Sequence, residues 1–305
     1  MTVLRYTVPP ENEGCKLGPF LRMQGVTAGL IKSVKYDGDG FYADDQPIRT
    51  NEPVHAGQRI RFALPPEQET SVTPQPVPFS IAYEDDFAAV LNKPAGIAVH
   101  PTLNYPDGTL ANGWLHYLQM QGRSGVFRPV NRLDKGTTGL MVIAKSGYVH
   151  DLLRRSLHTD RFRREYLAVC VGTPPSGSGT IDAPIGRDPN SVVGRCVRPD
   201  GSPAVSHYRV LGTRDGLTLV ALLPETGRTH QLRVHMASIG CPLAGDWLYG
   251  TEDPTLIARP ALHSHRLTLI HPITGDTLNL TAPPPEDLIR LFPDLASLPE
   301  EKLLI

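Results

Sequence analysis

Between Pro66 and Pro78 the chain reads Pro-Glu-Gln-Glu-Thr-Ser-Val-Thr-Pro-Gln-Pro-Val-Pro, four prolines in thirteen residues. Proline lacks the backbone N–H that a helix interior or an inner strand requires. This stretch therefore reads as a polar, proline-rich linker (66–78) between two separately folded parts. Ahead of it, residues 16–65 make a compact unit. Leu17, Phe20, Leu21, Leu30, Ile31 and Val34 supply an apolar periodic stretch, Asp37-Gly38-Asp39-Gly40 a turn, and short strand-like pieces follow. Behind the linker, residues 79–292 form one long domain. Residues 1–15 are expected to be a polar, poorly ordered N-terminal tail, and residues 293–305 a short C-terminal tail.

Strand signals dominate the long domain. Ile81–Tyr83, Ala88–Leu91, Tyr166–Val171 and Leu217–Leu223 read as strands, and Leu140-Met-Val-Ile-Ala144 as a strand buried on both faces. Ser146 is placed to cap a helix whose apolar positions are Val149, Leu152, Leu153 and Leu157, leaving Arg154 and Arg155 outside. A second helix follows Thr229, with Leu232, Met236 and Ile239 on one side and Gly240 at its end. Many strands and two clear helices predict an α+β fold with a mixed, mostly antiparallel central sheet flanked by helices and loops. The first unit adds a small N-terminal α+β module.

A chain of 305 residues can bury a sizeable core without disulfides or a structural metal. Its four cysteines, Cys15, Cys170, Cys196 and Cys241, are scattered and form no C-x-x-C pair, as expected of free thiols in a reducing cytoplasm. No apolar run is long enough to span a membrane, and the first ten residues lack a secretory pattern. The expectation is a cytoplasmic protein, monomeric and without a membrane partner.

Net charge is −1, which by itself speaks against a nucleic-acid partner. The distribution reverses that reading. Residues 123–166 hold ten Arg/Lys against four Asp/Glu, a net of +6, so the remainder carries −7. A basic stretch within an acidic frame can grip phosphates. A solvated helix face is the plainer alternative, but this run flanks the most unusual local motif in the chain.

That motif is Asn131-Arg-Leu-Asp-Lys-Gly-Thr-Thr-Gly-Leu-Met-Val-Ile-Ala-Lys145. Asp134 precedes a Gly/Thr turn, where a carboxylate kept ionised by nearby cations can act as a nucleophile, or can simply cap the turn. A second constellation is Pro224-Glu-Thr-Gly-Arg-Thr-His-Gln-Leu-Arg-Val-His-Met236. A glycine before a helix leaves backbone N–H groups free for an anion, and Arg228 and Arg233 can bind phosphate or pair with a carboxylate. His230 and His235 are five apart and do not share a helical face, so no zinc site is expected. Tyr166 enters a strand, where tyrosine is usually core. No phosphate-binding P-loop, dinucleotide fingerprint or nucleophile elbow occurs, so no nucleotide cofactor is expected.

Together these motifs resemble the RluA family of RNA pseudouridine synthases. Lys93-Pro-Ala-Gly-Ile-Ala-Val-His-Pro101 is similar to the family's early K-P-x-G-x-x-x-H-P segment. Arg132-Leu-Asp134, Thr138-Gly139 and Ala144-Lys145 resemble its signature motif, and Tyr166-Leu-Ala-Val its tyrosine strand. Gly227–His235 and Gly240-Cys-Pro-Leu-Ala-Gly-Asp246 resemble its third motif, and Leu262-His263, His271-Pro272 and Thr274-Gly275 its closing strands. The likeness spans residues 79–285 in the family's order. Asn131 departs from it, standing where many members have His.

The resemblance implies a synthase that breaks the bond between uracil and ribose, turns the base and rejoins it through carbon. Asp134 would be the essential carboxylate, by covalent attack or by taking a ribose proton. Arg233 would pair with Asp134, and Tyr166 would stack on the base and help remove the proton at carbon 5. Arg132, Lys135, Arg161, Arg163, Arg164, Arg228 and His230 would contact RNA, either rRNA or tRNA, with no cofactor or metal. The 16–65 unit resembles an alpha-L RNA-binding module, possessing Arg49–Gly57 but with Asp44-Asp45 in place of the usual V-N-G turn. Two acids there would repel phosphate and point to packing or partner contacts. The competing readings are a non-catalytic RNA-binding or ribosome-assembly protein on the same fold, and a metal-dependent hydrolase using the histidines.

Overall fold

The computed structural model describes residues 2–65, 70–303 and 305. The first unit is a four-stranded sheet and two helices: β1 (Val3–Thr7), α1 (Leu17–Met23), α2 (Ala28–Asp37), β2 (Phe41–Ala43), β3 (Gln46–Ile48) and β4 (Arg59–Ala63). Its strand order is β1-β4-β2-β3. Thr27 caps α2 by accepting the Leu30 N–H. Asp44 and Asp45 both take positive φ and close the β2–β3 hairpin as its two-residue turn. They do not stand as two bare acids: Asp44 Oδ1 accepts the Arg59 N–H at 3.0 Å, and Asp45 Oδ1 accepts from Arg61 Nε at 2.7 Å.

The expected disordered N-terminal tail is corrected. Residues 3–7 form β1, paired in register with β4, and Leu4 and Val8 are buried. Leu4, Tyr6 and Val8 alternate along an extended segment, a period-two pattern that supplies a sheet edge with its inner face.

The long domain contains β5 (Ser80–Glu84), β6 (Ala88–Lys93), α3 (Leu110–Met120), β7 (Arg128–Pro129), β8 (Thr138–Ala144), α4 (Gly147–Ser156), β9 (Phe162–Val171), β10 (Ser178–Asp182), β11 (Ile185–Arg187), β12 (Arg195–Val197), β13 (Val205–Arg214), β14 (Leu217–Pro224), α5 (Gln231–Ser238), β15 (Leu262–Ile270), β16 (Thr277–Thr281) and α6 (Glu286–Leu291). The main sheet runs β10-β13-β14-β9-β15-β8-β6-β5, with β16 against β15 and β7 against β8. Every pairing is antiparallel except β15 with β8. This is the mixed, mostly antiparallel sheet that the strand signals predict.

Each face of the sheet has its own core. Leu140, Val142 and Ala144 of β8 join Val149 and Leu153 of α4 on one side. Met141 and Ile143 join Trp114 of α3 and Met236 of α5 on the other. Strand β8 is therefore apolar at every position because both faces are covered. The first core also takes in Leu4, Phe20 and Phe62, so the N-terminal unit packs onto the same side of the sheet as α4.

Helix α3 lay outside the two-helix reading. Thr109 and Asn112 form a reciprocal capping box at its start, with Asn where the familiar pattern has Glu or Gln. Residues 70–78 of the expected linker are strapped to this helix, and residues 66–69 lie outside the described residues. The Gln75 N–H donates to the Asn112 carbonyl at 3.1 Å, and Asn112 Nδ2 donates to the Thr73 carbonyl at 2.8 Å. The C-terminal tail is likewise docked. Short 3₁₀ turns at Pro293–Ala296 and Glu300–Lys302 bury Leu295 and Leu303 beside Leu167, Val169 and Leu288.

Where β8 meets β15 the backbones come close. Gly139 has φ +105°, and a Cβ there would lie 2.2 Å from the Ser264 carbonyl oxygen. Gly139→Ala is expected to cost at least about 3 kcal/mol, since neither backbone can retreat without breaking the ladder. Thermal unfolding checks this, and an unchanged midpoint would contradict the close approach.

Candidate active site

The turn ahead of β8, strands β9 and β14 and helix α5 converge on an open cavity of about 660 Å³, lined by Asp134, Arg164, Tyr166, Arg228, His230 and Arg233 among others. Asp134 sits on the turn that leads into β8, closed by the Thr137 N–H donating to the Asp134 carbonyl at 3.0 Å. Three further donors hold that turn. Lys93 Nζ and the Gly96 N–H reach the Lys135 carbonyl at 3.1 and 2.9 Å, and Arg259 Nη1 reaches the Gly136 carbonyl at 3.1 Å. Lys93 is fully buried and also donates to the carbonyls of Pro94 and Ile97. Burial, seconded by Arg259 and opposed by Asp134, pulls its pKa down to about 7. Three carbonyl acceptors around one nitrogen need the three donors of the ammonium form.

Arg233 lies on α5, 5% exposed, and joins two carboxylates. Its Nε and Nη2 each meet Asp246 at 2.7 Å, a bidentate pair with a carboxylate of no solvent exposure. Its Nη1 turns to Asp134 Oδ2 at 3.2 Å. Burial opposes charge on this guanidinium, but Asp246 and then Asp134 outweigh it and raise its pKa. The Tyr249 ring lies 5.0 Å from the guanidinium carbon. The predicted Asp134–Arg233 pair is thus present, with Asp246 as its unforeseen third member.

Tyr166 and Arg164 are two apart on β9 and share the cavity face. Burial raises the Tyr166 pKa against the pull of Arg164 and a hydrogen bond with Ser264, so it stays a neutral phenol near pH 7. Arg164 is 6% exposed, its Nε has no hydrogen-bond partner, and no carboxylate pairs with it among the described residues. Its guanidinium carbon stands 6.0 Å from the Phe162 ring, and a buried cation with no carboxylate partner is costly, which makes its position in the cavity wall informative.

Two of the arginines expected to contact RNA lie outside the cavity. Arg163 points away from the cavity, pairing with Glu165 at 2.7 Å and donating to the Ile305 carbonyl. Arg161 is exposed before the strand and does not line the cavity. Arg132, Lys135, Arg228 and His230 do line it. Lys135 Nζ stands 3.9 Å over the Tyr105 ring, and Arg228 Nε donates to the Pro203 carbonyl at 3.0 Å. Asn131 is buried beneath, its Oδ1 accepting the Val142 N–H at 2.9 Å. His235 faces inward to Ser206 and the Ala183 carbonyl. No group of three metal-ligating side chains gathers among the described residues.

Lys93, Asp246, Tyr249 and Arg259 carry the site but had no role in the sequence reading. Lys93 and Asp246 fall inside motifs already singled out. Tyr249 and Arg259 had no local signal, because their partners are distant in sequence.

Known proteins resemble this chain over most of its length. Residues 88–238 match the RNA pseudouridylate synthase family. An uncharacterized RNA pseudouridine synthase of Bacillus subtilis, YjbO, is 38% identical over 269 residues, covering 88% of this chain and 95% of the relative. Ribosomal large subunit pseudouridine synthase D of Xanthomonas campestris is 40% identical, covering 82% and 79%. Its namesake in an Escherichia coli strain is 41% identical, covering 80% and 78%. Among solved structures, human RNA pseudouridylate synthase domain containing 4 superposes with a TM-score of 0.58 at 25% identity, over 71% of this chain and 92% of that one. Fold and relatives together define an isomerase acting on RNA. The chain belongs to the RNA pseudouridylate synthase family.

Arg164→Met is expected to stabilise the free protein by roughly 1–2 kcal/mol by removing an unpaired buried charge. It should also weaken RNA binding and lower the salt slope by about one. Denaturant unfolding and RNA affinity across salt concentrations test both. Lost stability with unchanged affinity would assign Arg164 to the fold instead.

Proposed function

We propose that this chain converts uridine to pseudouridine in large-subunit ribosomal RNA, with Asp134 as the essential carboxylate. The observation that carries the residue assignment is the shared guanidinium of Arg233, whose Nη1 holds the Asp134 carboxylate in the cavity wall at 3.2 Å. Two relatives named for the ribosomal large subunit support the choice of rRNA over tRNA. No helix among the described residues is long and apolar enough to cross a membrane, which is compatible with a cytoplasmic site of action.

The target uridine leaves its stack to enter the cavity, at a cost of about a few kcal/mol. Arg132, Lys135, Arg164 and Arg228 offset part of it through phosphate contacts. Asp134 attacks ribose C1′, or takes a ribose proton, as the C1′–N1 bond breaks and its electron pair leaves with the base. Tyr166 stacks on the freed base, and when C5 bonds to C1′ the ester bond to Asp134 breaks, or the ribose proton returns, which restores the carboxylate. Removing the carbon-5 proton requires the Tyr166 phenolate, which burial disfavours and Arg164 favours. The N-terminal unit is an alpha-L-like module with a packing role. Its shared core with the catalytic sheet and its Arg61-paired hairpin turn support that reading.

A non-catalytic binding protein would have no need to keep Asp134, Tyr166 and Arg233 around one cavity. Asp134→Asn is expected to abolish pseudouridine formation while leaving RNA affinity within about threefold, because one carboxylate contributes little to phosphate-dominated binding. Turnover by the purified variant would refute the assignment. Mapping pseudouridines in cellular RNA with and without the gene tests the substrate: sites lost from large-subunit rRNA are expected, and losses confined to tRNA would contradict it.

A further inference from the structure

We propose that His230 is a catalytic residue, its Nε2–H donating a hydrogen bond to a carbonyl oxygen of the uracil while that base is detached from the ribose. This deepens the function proposed above and rests on it.

The backbone gives the first indication. His230 caps α5 in the left-handed region, φ 57° and ψ 19°. A non-glycine residue held there costs of order 1 kcal/mol, and such strain gathers where a side chain must be aimed. The ring is aimed into the cavity, with Nε2 3.9 Å from Asp134 Oδ2.

The second indication is the tautomer. The Tyr249 hydroxyl accepts the Arg195 N–H at 2.9 Å and lies 2.7 Å from His230 Nδ1. With its oxygen already accepting, the phenol proton goes to Nδ1. A neutral ring then carries its own proton on Nε2. Burial lowers the His230 pKa, Asp134 opposes, and Arg233 and Arg195 reinforce the fall.

The third is that this proton is unspent. At 3.9 Å the carboxylate is beyond hydrogen-bond range, and Nε2 has no other hydrogen-bond partner among the described residues.

The chemistry calls for such a donor. When the bond from C1′ to N1 breaks, its electron pair stays with the base, and negative charge spreads over N1 and the two carbonyl oxygens. Asp134 and Asp246 share the one guanidinium of Arg233, a trio of net −1 that leaves no Arg233 nitrogen pair free for the base, while Arg132, Lys135, Arg164 and Arg228 stand elsewhere on the cavity wall. A lysine or arginine in the place of His230 would pair with Asp134. A neutral imidazole N–H stays available for the base, and the Tyr249 hydroxyl holds it in that form.

The test compares wild type, His230→Ala, His230→Gln and Asp134→Asn on unmodified large-subunit rRNA transcript, measuring RNA affinity and single-turnover pseudouridine formation. His230→Ala is expected to slow the single-turnover rate by about 100-fold, the usual loss for one oxyanion donor, with affinity within about threefold. His230→Gln keeps an N–H donor and is expected to recover at least about tenfold of that loss. A wild-type rate in His230→Ala at saturating RNA would overturn the proposal, whether affinity falls or holds. Equal rates in the Ala and Gln variants would also overturn it. Turnover by Asp134→Asn would instead overturn the underlying assignment of the carboxylate, which separates the two failures.

Discussion

The guanidinium of Arg233 is nearly buried and carries a full charge, so the surrounding structure has to supply its counter-charge. Asp246 does so with two parallel bonds, and Asp134 takes the remaining nitrogen. Breaking such a buried pair by removing one partner costs about 3–5 kcal/mol. The arrangement therefore fixes three segments at once: the turn before β8, helix α5, and the loop that carries Asp246. The latter loop is pinned further, because Asp246 Oδ1 accepts the N–H groups of Leu248 and Tyr249. Tyr249 in turn orients His230. One ion network thus sets the positions of the proposed reacting carboxylate and of the histidine beside it.

The sheet supplies the rigidity that this network needs. Strand β8 is enclosed by a core on each face and can neither slide nor tilt. The turn ahead of it is tied down by Lys93 Nζ and by Arg259, whose Nη1 serves backbone carbonyls while its Nε and Nη2 pair with Asp287. Strand β9 contributes through alternation. Its even-numbered positions Arg164 and Tyr166 face the cavity, while Arg163 and Glu165 pair on the other side. The basic segment that offset the acidic remainder of the chain is therefore divided between cavity-facing and structural positions.

The sequence made the central strands and the Asp134–Arg233 pair legible for different reasons. Strand β8 showed as an unbroken apolar run, and Ser146 as a cap, because both are local patterns. The pair was implied by family resemblance alone, since the two residues are 99 apart. Asp246 was quoted within a motif without a role: a fully buried carboxylate looks no different in sequence from a surface one. The N-terminal strand was missed because its Leu4, Tyr6 and Val8 alternation is short and surrounded by polar residues. Helix α3 was not legible because its capping box, opened by Thr109, is completed by Asn112 in place of Glu or Gln. That Arg164 lines the cavity and Arg161 and Arg163 do not was not legible, because a run of arginines carries no sign of which face each will take until the strand register is known.

The most direct test of the shared guanidinium is a double-mutant cycle on unfolding free energy with Asp134→Asn, Asp246→Asn and the double variant. Either single change leaves Arg233 one carboxylate; the double change leaves a buried cation with none. The account predicts that the double variant loses at least about 1 kcal/mol more than the two single losses combined. Additivity within about 0.5 kcal/mol would mean that the two carboxylates do not share Arg233, and would contradict it.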